Sequence, residues 1–196
     1  MPEGTPTARE LARRSQAAVT ARDRDGWLSL FAADAVVQDP VGPSPLDPEG
    51  AGHRGPEAIA AFYDNVIAQS ERITFEIERS YLCGDEVADV GVIRTTLAGG
   101  QHVAVVRGVY TYRSNGAGKI AALRAFWEFN SIELVASQDL GELPALSDCS
   151  RIADDPVSAA ETPAASDRLT QTGFRTRADP ISGRSETAGF MIMVAE

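Results

Sequence analysis

Residues 27–42 read WLSLFAADAVVQDPVG, and this stretch changes character along its length. Its first part carries apolar residues at helical spacing and follows Asp25, a residue type that favours a helix N-cap. The apolar run at residues 35–37 is typical of a short strand, and Pro40 ends it because proline disfavours a helical residue before it. The stretch therefore predicts a short helix, then a strand that carries a carboxylate, Asp39, at its end.

Helical periodicity extends to both sides of this stretch. We predict that residues 8–33 are helical, with a weakly apolar stripe in the first helix. Residues 56–69 also carry apolar side chains at helical spacing, and they begin with Pro56, which suits the first turn of a helix. The intervening segment, residues 40–55, is rich in proline and glycine and predicts a loop.

After residue 72 the apolar period changes from helical spacing to two. Turn signals at residues 83–85 and 98–100, and a stronger one in Asn115-Gly116, separate the strand-like stretches. Helices followed by a run of antiparallel strands predict an α+β domain over residues 8–136. The predicted strands are centred on residues 73–77, 87–97, 103–112 and 120–129.

Residues 137–196 differ in composition from the rest of the chain. They are rich in Ala, Ser, Thr, Pro and Asp, show no sustained period, and carry ten acidic against five basic residues. Such a segment buries too little apolar surface to offset its ordering entropy. We predict a disordered C-terminal tail, and we interpret its small apolar patch at residues 190–194 as incidental.

Composition excludes several classes of function. The formal net charge is −10, which disfavours binding to a phosphate backbone. No stretch approaches the roughly 18 apolar residues of a membrane span, and the start lacks the pattern of a secretory signal, so we expect a cytoplasmic protein. Cys83 and Cys149 show no ligand spacing, and His53 and His102 are assigned to the surface. We therefore expect no metal and no organic cofactor.

Asp39 is the first candidate for chemistry. If the strand before it turns this carboxylate into the interior of a curved sheet, desolvation raises its pKa and makes it a usable general base. The alternative from local sequence is an aspartate that caps the turn at the Pro-Gly loop. The residues alone leave both interpretations open.

Residues 27–42 resemble the ketosteroid isomerase branch of the NTF2-like/SnoaL-like superfamily. Residues 55–63, 115–120 and 124–127 continue the resemblance, which spans about residues 8–135. It implies a cone in which helices pack over a strongly curved antiparallel sheet and leave a deep apolar pocket. It also implies a homodimer, a steroid-like polycyclic ligand, and Asp39 as the general base.

The resemblance also exposes departures from the family's pattern. The family's oxyanion hole uses a tyrosine and a protonated aspartate, and these positions fall on Ser15 and Gly108. Loss of one such donor costs on the order of 10²–10³ in rate. Tyr63 matches a tyrosine that supports the family's hydrogen-bond network. Gly108 is expected to widen the cavity, on a strand face shared with Tyr110 and Tyr112.

Tyr110 and Tyr112 on that face are each a candidate hydrogen-bond donor to a ligand oxygen. The alternative is that both are core aromatic residues whose hydroxyls find hydrogen-bond partners at the rim of the core. Trp127 matches an aromatic residue that lines the family's pocket, and plain core packing is its alternative. Three functions stay open: a steroid Δ5-isomerase, a SnoaL-like enzyme that cyclises or opens a polyketide or terpenoid, and a non-catalytic steroid-binding domain.

Overall fold

The computed structural model describes residues 4–142. Three α-helices lie in the first half of the chain, and the third continues into a π-helical turn at Tyr63–Ile67. The helices are α1 (Ala8–Thr20), α2 (Arg24–Ser29) and α3 (Gly55–Phe62). The strands are β1 (Phe31–Gln38), β2 (His53–Arg54), β3 (Arg72–Cys83), β4 (Glu86–Thr96), β5 (His102–Ser114), β6 (Ile120–Phe126) and β7 (Glu133–Ala136).

Local capping explains where the first two helices begin. Thr7 and Glu10 form a reciprocal capping box at the start of α1. The N-cap of α2 is Asp23, whose side chain accepts a hydrogen bond of 2.9 Å from the Gly26 N–H. The expectation that Asp25 caps this helix is wrong, because Asp25 lies inside the first turn.

The predicted helix over residues 8–33 ends early, since α2 stops at Ser29 and Phe31 already belongs to β1. Phe31 pairs with Ile120 in a parallel ladder between β1 and β6. This pairing partner lies far along the chain, so the local apolar period at the end of α2 does not reveal it. A long-range strand pairing therefore overrides a locally helical pattern.

All strands form one curved sheet in the order β2-β1-β6-β5-β4-β3, and β7 pairs with the first part of β5. The ladders are antiparallel except for the one between β1 and β6. The predicted hairpin connections are confirmed, including the turn over Ser114-Asn115-Gly116. The predicted α+β arrangement of helices over a curved antiparallel sheet is confirmed.

The sheet bends where two glycines face each other. Gly91 on β4 pairs with Gly108 on β5, and β3 carries a register shift beside them. A Cβ on Gly91 would meet the Glu76 carbonyl oxygen at 2.2 Å, and one on Gly108 would meet the Phe126 carbonyl oxygen at 2.5 Å. These glycines therefore allow close backbone crossings that let β5 pair with β7 before the bend and with β6 after it.

The concave face of the sheet holds the core. Leu11 and Ala12 of α1 and Trp27 of α2 are fully buried and pack over it. From the sheet side they meet buried residues such as Val37 and Val87. The helices therefore pack over the concave face of the sheet, and the cavity described below lies between them and the sheet.

The described chain continues past the predicted domain end at residue 136. Ser137–Glu142 form a 3₁₀-helix, and the Ser137 N–H donates a 2.8 Å hydrogen bond to the Gln101 carbonyl. The first six residues of the predicted tail are therefore helical rather than disordered. The rest of that segment, including residues 190–194, lies outside the described residues.

Candidate functional site

A cavity of about 180 Å³ lies between the concave face of the sheet and the helices. Its wall is mainly aliphatic and aromatic, with a few hydroxyl and amide groups and one carboxylate, Asp39. The apolar contributors include Val19, Phe62, Ile73, Phe75, Ile93 and Ala104. Such a wall suits a ligand with large apolar surface and few polar atoms.

Strand geometry places Asp39 in this wall. Ala35 and Val37 are fully buried, and Asp39 continues their two-residue period on the inward side of the sheet. The chain is held on both sides of Asp39, because Gln38 pairs with β6 and the Val41 N–H donates a 2.8 Å bond to the Ala125 carbonyl. The inward interpretation of Asp39 therefore describes its position better than a turn cap does.

Within residues 4–142, the Asp39 carboxyl accepts a hydrogen bond from one side chain, the indole of Trp127. Trp127 Nε1–H donates to Asp39 Oδ1 at 2.6 Å. None of the ion pairs within residues 4–142 involves Asp39. Burial raises the pKa of Asp39 to about 6, and the Trp127 hydrogen bond opposes that rise. The residue is half-buried by area, but the accessible part faces the cavity, so desolvation dominates.

Trp127 lines the cavity, as the sequence predicted. It follows the end of β6, and its ring stacks on Phe129 with centroids 5.7 Å apart. The family resemblance implies only a lining role for Trp127 and does not reveal its hydrogen bond to Asp39. No local signal reveals that bond, since the two residues are 88 positions apart in the chain.

On the predicted cavity face of β5, Val106, Tyr110 and Tyr112 line the pocket, whereas Gly108 does not. Tyr110 Oη donates a 2.9 Å hydrogen bond to the Val106 carbonyl, so its proton is already used within its own strand. Burial raises the pKa of Tyr110, and the charge of Asp39 raises it further. Tyr110 is therefore a neutral phenol near the carboxylate, with its hydroxyl hydrogen directed to the backbone.

Ser15 lies on α1, fully buried and in the cavity wall. Its Oγ accepts a 2.9 Å hydrogen bond from Trp27 Nε1–H. The same hydroxyl interacts with Tyr112, as does the amide of Gln16. The position expected to hold the family's tyrosine therefore holds a small hydroxyl that is joined to a phenol from β5.

Two predicted site residues lie outside the wall. Tyr63 is buried behind Trp27, with ring centroids 5.4 Å apart, and is not a lining residue. The expectation that Gly108 widens the cavity is wrong. The space that a Gly108 side chain would occupy is filled by the Phe126 backbone and, at 3.2 Å, by Trp127 Cβ. The role of Gly108 in the structure is to permit the bend.

A buried carboxyl near the site, Asp89, was missed by sequence reasoning. Asp89 is 3% exposed, and its Oδ2 accepts a 3.0 Å bond from Gln16 Nε2, while Oδ1 is buried with no hydrogen-bond partner. The two-residue period of β4 contained the signal, since Asp89 shares a face with the lining residues Ile93 and Thr95.

The two histidines differ in their surroundings. His102 is exposed at the start of β5, as expected. His53 is only partly exposed, because its ring lies against Phe62 with centroids 4.8 Å apart, and burial lowers its pKa. Within residues 4–142, no cluster of three His, Cys, Asp or Glu side chains is arranged to hold a metal ion. No described helix is long and apolar enough to cross a membrane.

Comparison with known proteins gives one family and a set of related structures. The profile of the SnoaL-like domain matches residues 12–123, more than half of the chain. A Δ5-3-ketosteroid isomerase from Mycobacterium sp. is 38% identical, with a TM-score of 0.62, over 65% of this chain and 98% of its own. Rv0760c from Mycobacterium tuberculosis, crystallised with estradiol-17β-hemisuccinate, is 39% identical over 64% and 97%, with a TM-score of 0.60. A computationally designed 17-OHP binder is 37% identical over 65% and 98%, with a TM-score of 0.62.

Proposed function

The chain belongs to the family of SnoaL-like domains, and from this premise we propose that it moves a proton on a 3-oxosteroid or a similar polycyclic ketone, with Asp39 as the general base. The observation that carries the proposal is the desolvated carboxyl in an otherwise apolar cavity, with a pKa raised to about 6. A base with a pKa just below neutral is ionised at pH 7 and still basic enough to accept a proton from carbon.

The proton moves between two carbons of one substrate. The Asp39 carboxylate takes the proton from the carbon between the ketone and the double bond. The electron pair of that C–H bond forms a new double bond, and the carbonyl π electrons move to oxygen, which gives a dienolate. The protonated Asp39 then delivers the proton to the far end of the original double bond, and the ketone forms again. Atoms and charge balance, and Asp39 ends as a carboxylate.

The geometry at Asp39 supports this route. Trp127 donates to Oδ1, and we assign the proton transfer to Oδ2. One indole N–H steadies the carboxylate without the large pKa drop that a cation or several donors would cause. The apolar wall excludes water, which keeps the abstracted proton on Asp39 for return to the same substrate.

Similar proteins support the ligand class. One is described as a Δ5-3-ketosteroid isomerase, and another is crystallised with a steroid ester. The wall of this chain has the matching chemistry, since rings such as Phe62, Phe75 and Trp127 surround the cavity. We infer that a steroid-sized apolar skeleton binds here with its ketone near the buried polar groups.

Steroid binding without turnover is the second candidate. It is favoured by Ser15, because a short hydroxyl stands where the isomerases have a tyrosine donor. Tight binding of a 3-oxosteroid with no conversion would decide for this function. Conversion of a polyketide or epoxide in the absence of steroid turnover would point to a SnoaL-like enzyme of another class.

Two further expectations belong to this proposal, and the first of them comes with the family. We expect a homodimer, which light scattering of the purified protein tests, and a monomer would contradict it. We also expect a cytoplasmic location, which fractionation of the source cells tests.

The test of the proposed function compares three proteins with 5-androstene-3,17-dione, whose conversion to the conjugated ketone increases ultraviolet absorbance. Wild type should convert it, and Asp39→Asn should lose about 10³-fold or more in kcat, since the base is removed while the shape is kept. Asp34→Asn, an exposed site on the same strand, is the matched control and should behave as wild type. Equal turnover by wild type and Asp39→Asn would remove Asp39 from the mechanism.

A further inference from the structure

The starting observation is a hydrogen bond whose direction is set by chemistry. Trp27 Nε1–H donates to Ser15 Oγ at 2.9 Å, and both residues are 1% exposed. An indole N–H can only donate, so the Ser15 oxygen must be the acceptor. The Ser15 hydroxyl hydrogen therefore points elsewhere.

Tyr112 lies beside Ser15 in the cavity wall. Its side chain is 4% exposed, lines the same cavity, and interacts with the Ser15 hydroxyl. If Ser15 donates its hydrogen to Tyr112 Oη, the phenol keeps its own hydrogen for a third group. Hydrogen bonds aligned in one direction strengthen each other in a low-dielectric interior.

We propose that Trp27, Ser15 and Tyr112 form a one-directional chain of donors whose last hydrogen, on Tyr112 Oη, binds the oxygen of the ligand. The inference deepens the proposed function and rests on it for the identity of that oxygen, which is the ketone of the polycyclic substrate. Tyr112 is the group that touches the ligand, and Ser15 and Trp27 are positioning residues. The donor missing from α1 is supplied from β5 through a serine.

The two pocket tyrosines differ in a way that selects Tyr112. Tyr110 Oη donates to the Val106 carbonyl at 2.9 Å and so has no hydrogen left for a ligand. Tyr112 interacts with the side chains of Ser15 and Gln16, and within residues 4–142 its hydroxyl has no such interaction with a backbone group. The phenol without a backbone acceptor is the one that can turn its hydrogen into the cavity.

A partly buried pair, Gln16 and Asp89, also interacts with Tyr112. Gln16 Nε2 donates to Asp89 Oδ2 at 3.0 Å, and a carboxylate only accepts, so the Gln16 amide is oriented by Asp89. Burial raises the pKa of Tyr112, and the charges of Asp89 and Asp39 raise it further. Tyr112 therefore stays protonated across the pH range of the enzyme and remains a donor.

The chemistry at the ligand follows directly. When Asp39 removes a proton, negative charge appears on the substrate oxygen, and a hydrogen bond to a charged acceptor is stronger than one to a neutral ketone. Tyr112 therefore stabilises the dienolate more than the bound ketone, which is the requirement for catalysis. No proton has to leave Tyr112 for this stabilisation.

The test measures binding and needs no turnover. Equilenin, a steroid with a naphthol hydroxyl on its terminal ring, imitates the dienolate oxygen, and a steroid of the same skeleton without that hydroxyl is the matched ligand. Isothermal titration calorimetry gives both dissociation constants. Wild type should prefer equilenin, and Tyr112→Phe should weaken equilenin by about 10-fold or more with a much smaller effect on the matched ligand.

A double-mutant cycle tests the positioning role. Ser15→Ala should weaken equilenin binding by about threefold to tenfold in wild type and add almost nothing in Tyr112→Phe, because Ser15 acts through the phenol. Tyr81→Phe, an exposed tyrosine at 51%, is the control for removal of a phenol and should bind as wild type. Circular dichroism shows that each variant is folded, and Ser15→Ala alone supplies the test if Tyr112→Phe does not fold.

Two results would overturn the proposal. One is equal affinity of wild type for equilenin and the matched ligand. The other is a full Ser15→Ala effect in the Tyr112→Phe background, which would give Ser15 a direct or merely structural role. Absence of isomerisation in wild type, with a Tyr112-dependent preference for equilenin, would reject the proposed function and leave the donor chain standing.

Discussion

At the scale of the residue, the account depends on why Asp39 has an unusual proton affinity. Its neighbours in the wall are mainly apolar, and its one hydrogen-bond donor within residues 4–142 is the neutral indole of Trp127. Desolvation therefore exceeds hydrogen bonding, and the pKa rises to about 6. The energetic cost of an ionised carboxyl in this place is what makes it a base.

The pH dependence of catalysis follows from that pKa. Asp39 must be ionised to accept a proton, so kcat/KM should rise tenfold per pH unit below pH about 6 and level off above it. A stopped-flow or ultraviolet assay from pH 4.5 to 8.5 measures this profile. A midpoint near 4, the ordinary value for an exposed aspartate, would show that the carboxyl is not desolvated.

The same shift has a consequence for stability. Because the folded-state pKa of Asp39 is raised from 3.8 to about 6, the folded state binds more protons than the unfolded chain between these values. Stability from this group is therefore lost as pH rises through that window. Asp39→Asn should melt at a higher temperature than wild type at pH 8, and this advantage should shrink as pH falls to about 4.

Calorimetry of both proteins at the two pH values checks the stability prediction, with Asp34→Asn as the control. Lower melting temperature of Asp39→Asn at pH 8 would mean that the ionised carboxyl stabilises the fold. That result would contradict the burial argument.

Single residues show most clearly which features of the site the sequence alone can reveal. The residues alone leave Asp39 open between an inward carboxylate and a turn cap, and only the burial of Ala35 and Val37 in the folded strand identifies the inward side. The bonds Trp127–Asp39 and Trp27–Ser15 do not follow from any local pattern, because each joins residues on different elements. A period tells which face a side chain is on, and only the packed structure tells what it meets there.

At the scale of the element, strand β5 organises the pocket. Its first part pairs with β7, its last part pairs with β6, and Gly108 lies between the two. Because of the bend at Gly108, Ala104 and Val106 before it and Tyr110 and Tyr112 after it all line the same cavity. The local sequence predicted the strand and its face, while the bend depends on contacts with β6.

Substitution of Gly108 tests this role. Gly108→Ala places a Cβ 2.5 Å from the Phe126 carbonyl oxygen. This contact is a steric clash, and backbone atoms must move to relieve it. The variant should lose about 1–3 kcal/mol of unfolding free energy. Arg113→Ala, an exposed site on the same strand, should change it by less than about 0.5 kcal/mol.

Urea unfolding monitored by tryptophan fluorescence measures both variants. Wild-type stability of Gly108→Ala would show that β5 and β6 do not approach as closely as described. The bend would then need another cause.

The boundaries of α2 and β1 show the limit of local patterns at this scale. The apolar spacing predicts a helix up to residue 33, but Phe31 belongs to the sheet because it pairs with β6 in the parallel ladder. The strands β2 and β7 are short, with two and four residues, and carried no recognisable period. Elements that depend on distant partners are the ones that sequence reasoning missed.

At the scale of the whole molecule, the described chain is a curved sheet closed by helices, and Ser137–Glu142 extend it by one 3₁₀-helix. The composition of the following segment, rich in small and acidic residues, predicts little contribution to the core. A chain that ends after Glu142 should therefore keep its melting temperature within about 2 °C of the full chain.

A chain that ends after Ala136 is the matched comparison for this truncation. It loses the Ser137 bond to Gln101 and should melt lower than the chain that ends after Glu142. Differential scanning calorimetry measures the melting temperatures of the full chain and of the two truncated chains. A large loss on removal of residues 143–196 would show that the segment stabilises the domain.

The central claim is that one buried carboxyl carries a proton from one carbon of a polycyclic ketone to another, and label transfer tests it most directly. The substrate 5-androstene-3,17-dione is deuterated at the carbon between ketone and double bond, and the product is analysed by mass spectrometry and NMR. Wild type is expected to deliver a substantial share of that deuterium to the far end of the original double bond, and Asp39→Asn is expected to form almost no product. Product that contains only solvent hydrogen, or label transfer that persists in Asp39→Asn, would contradict the central claim.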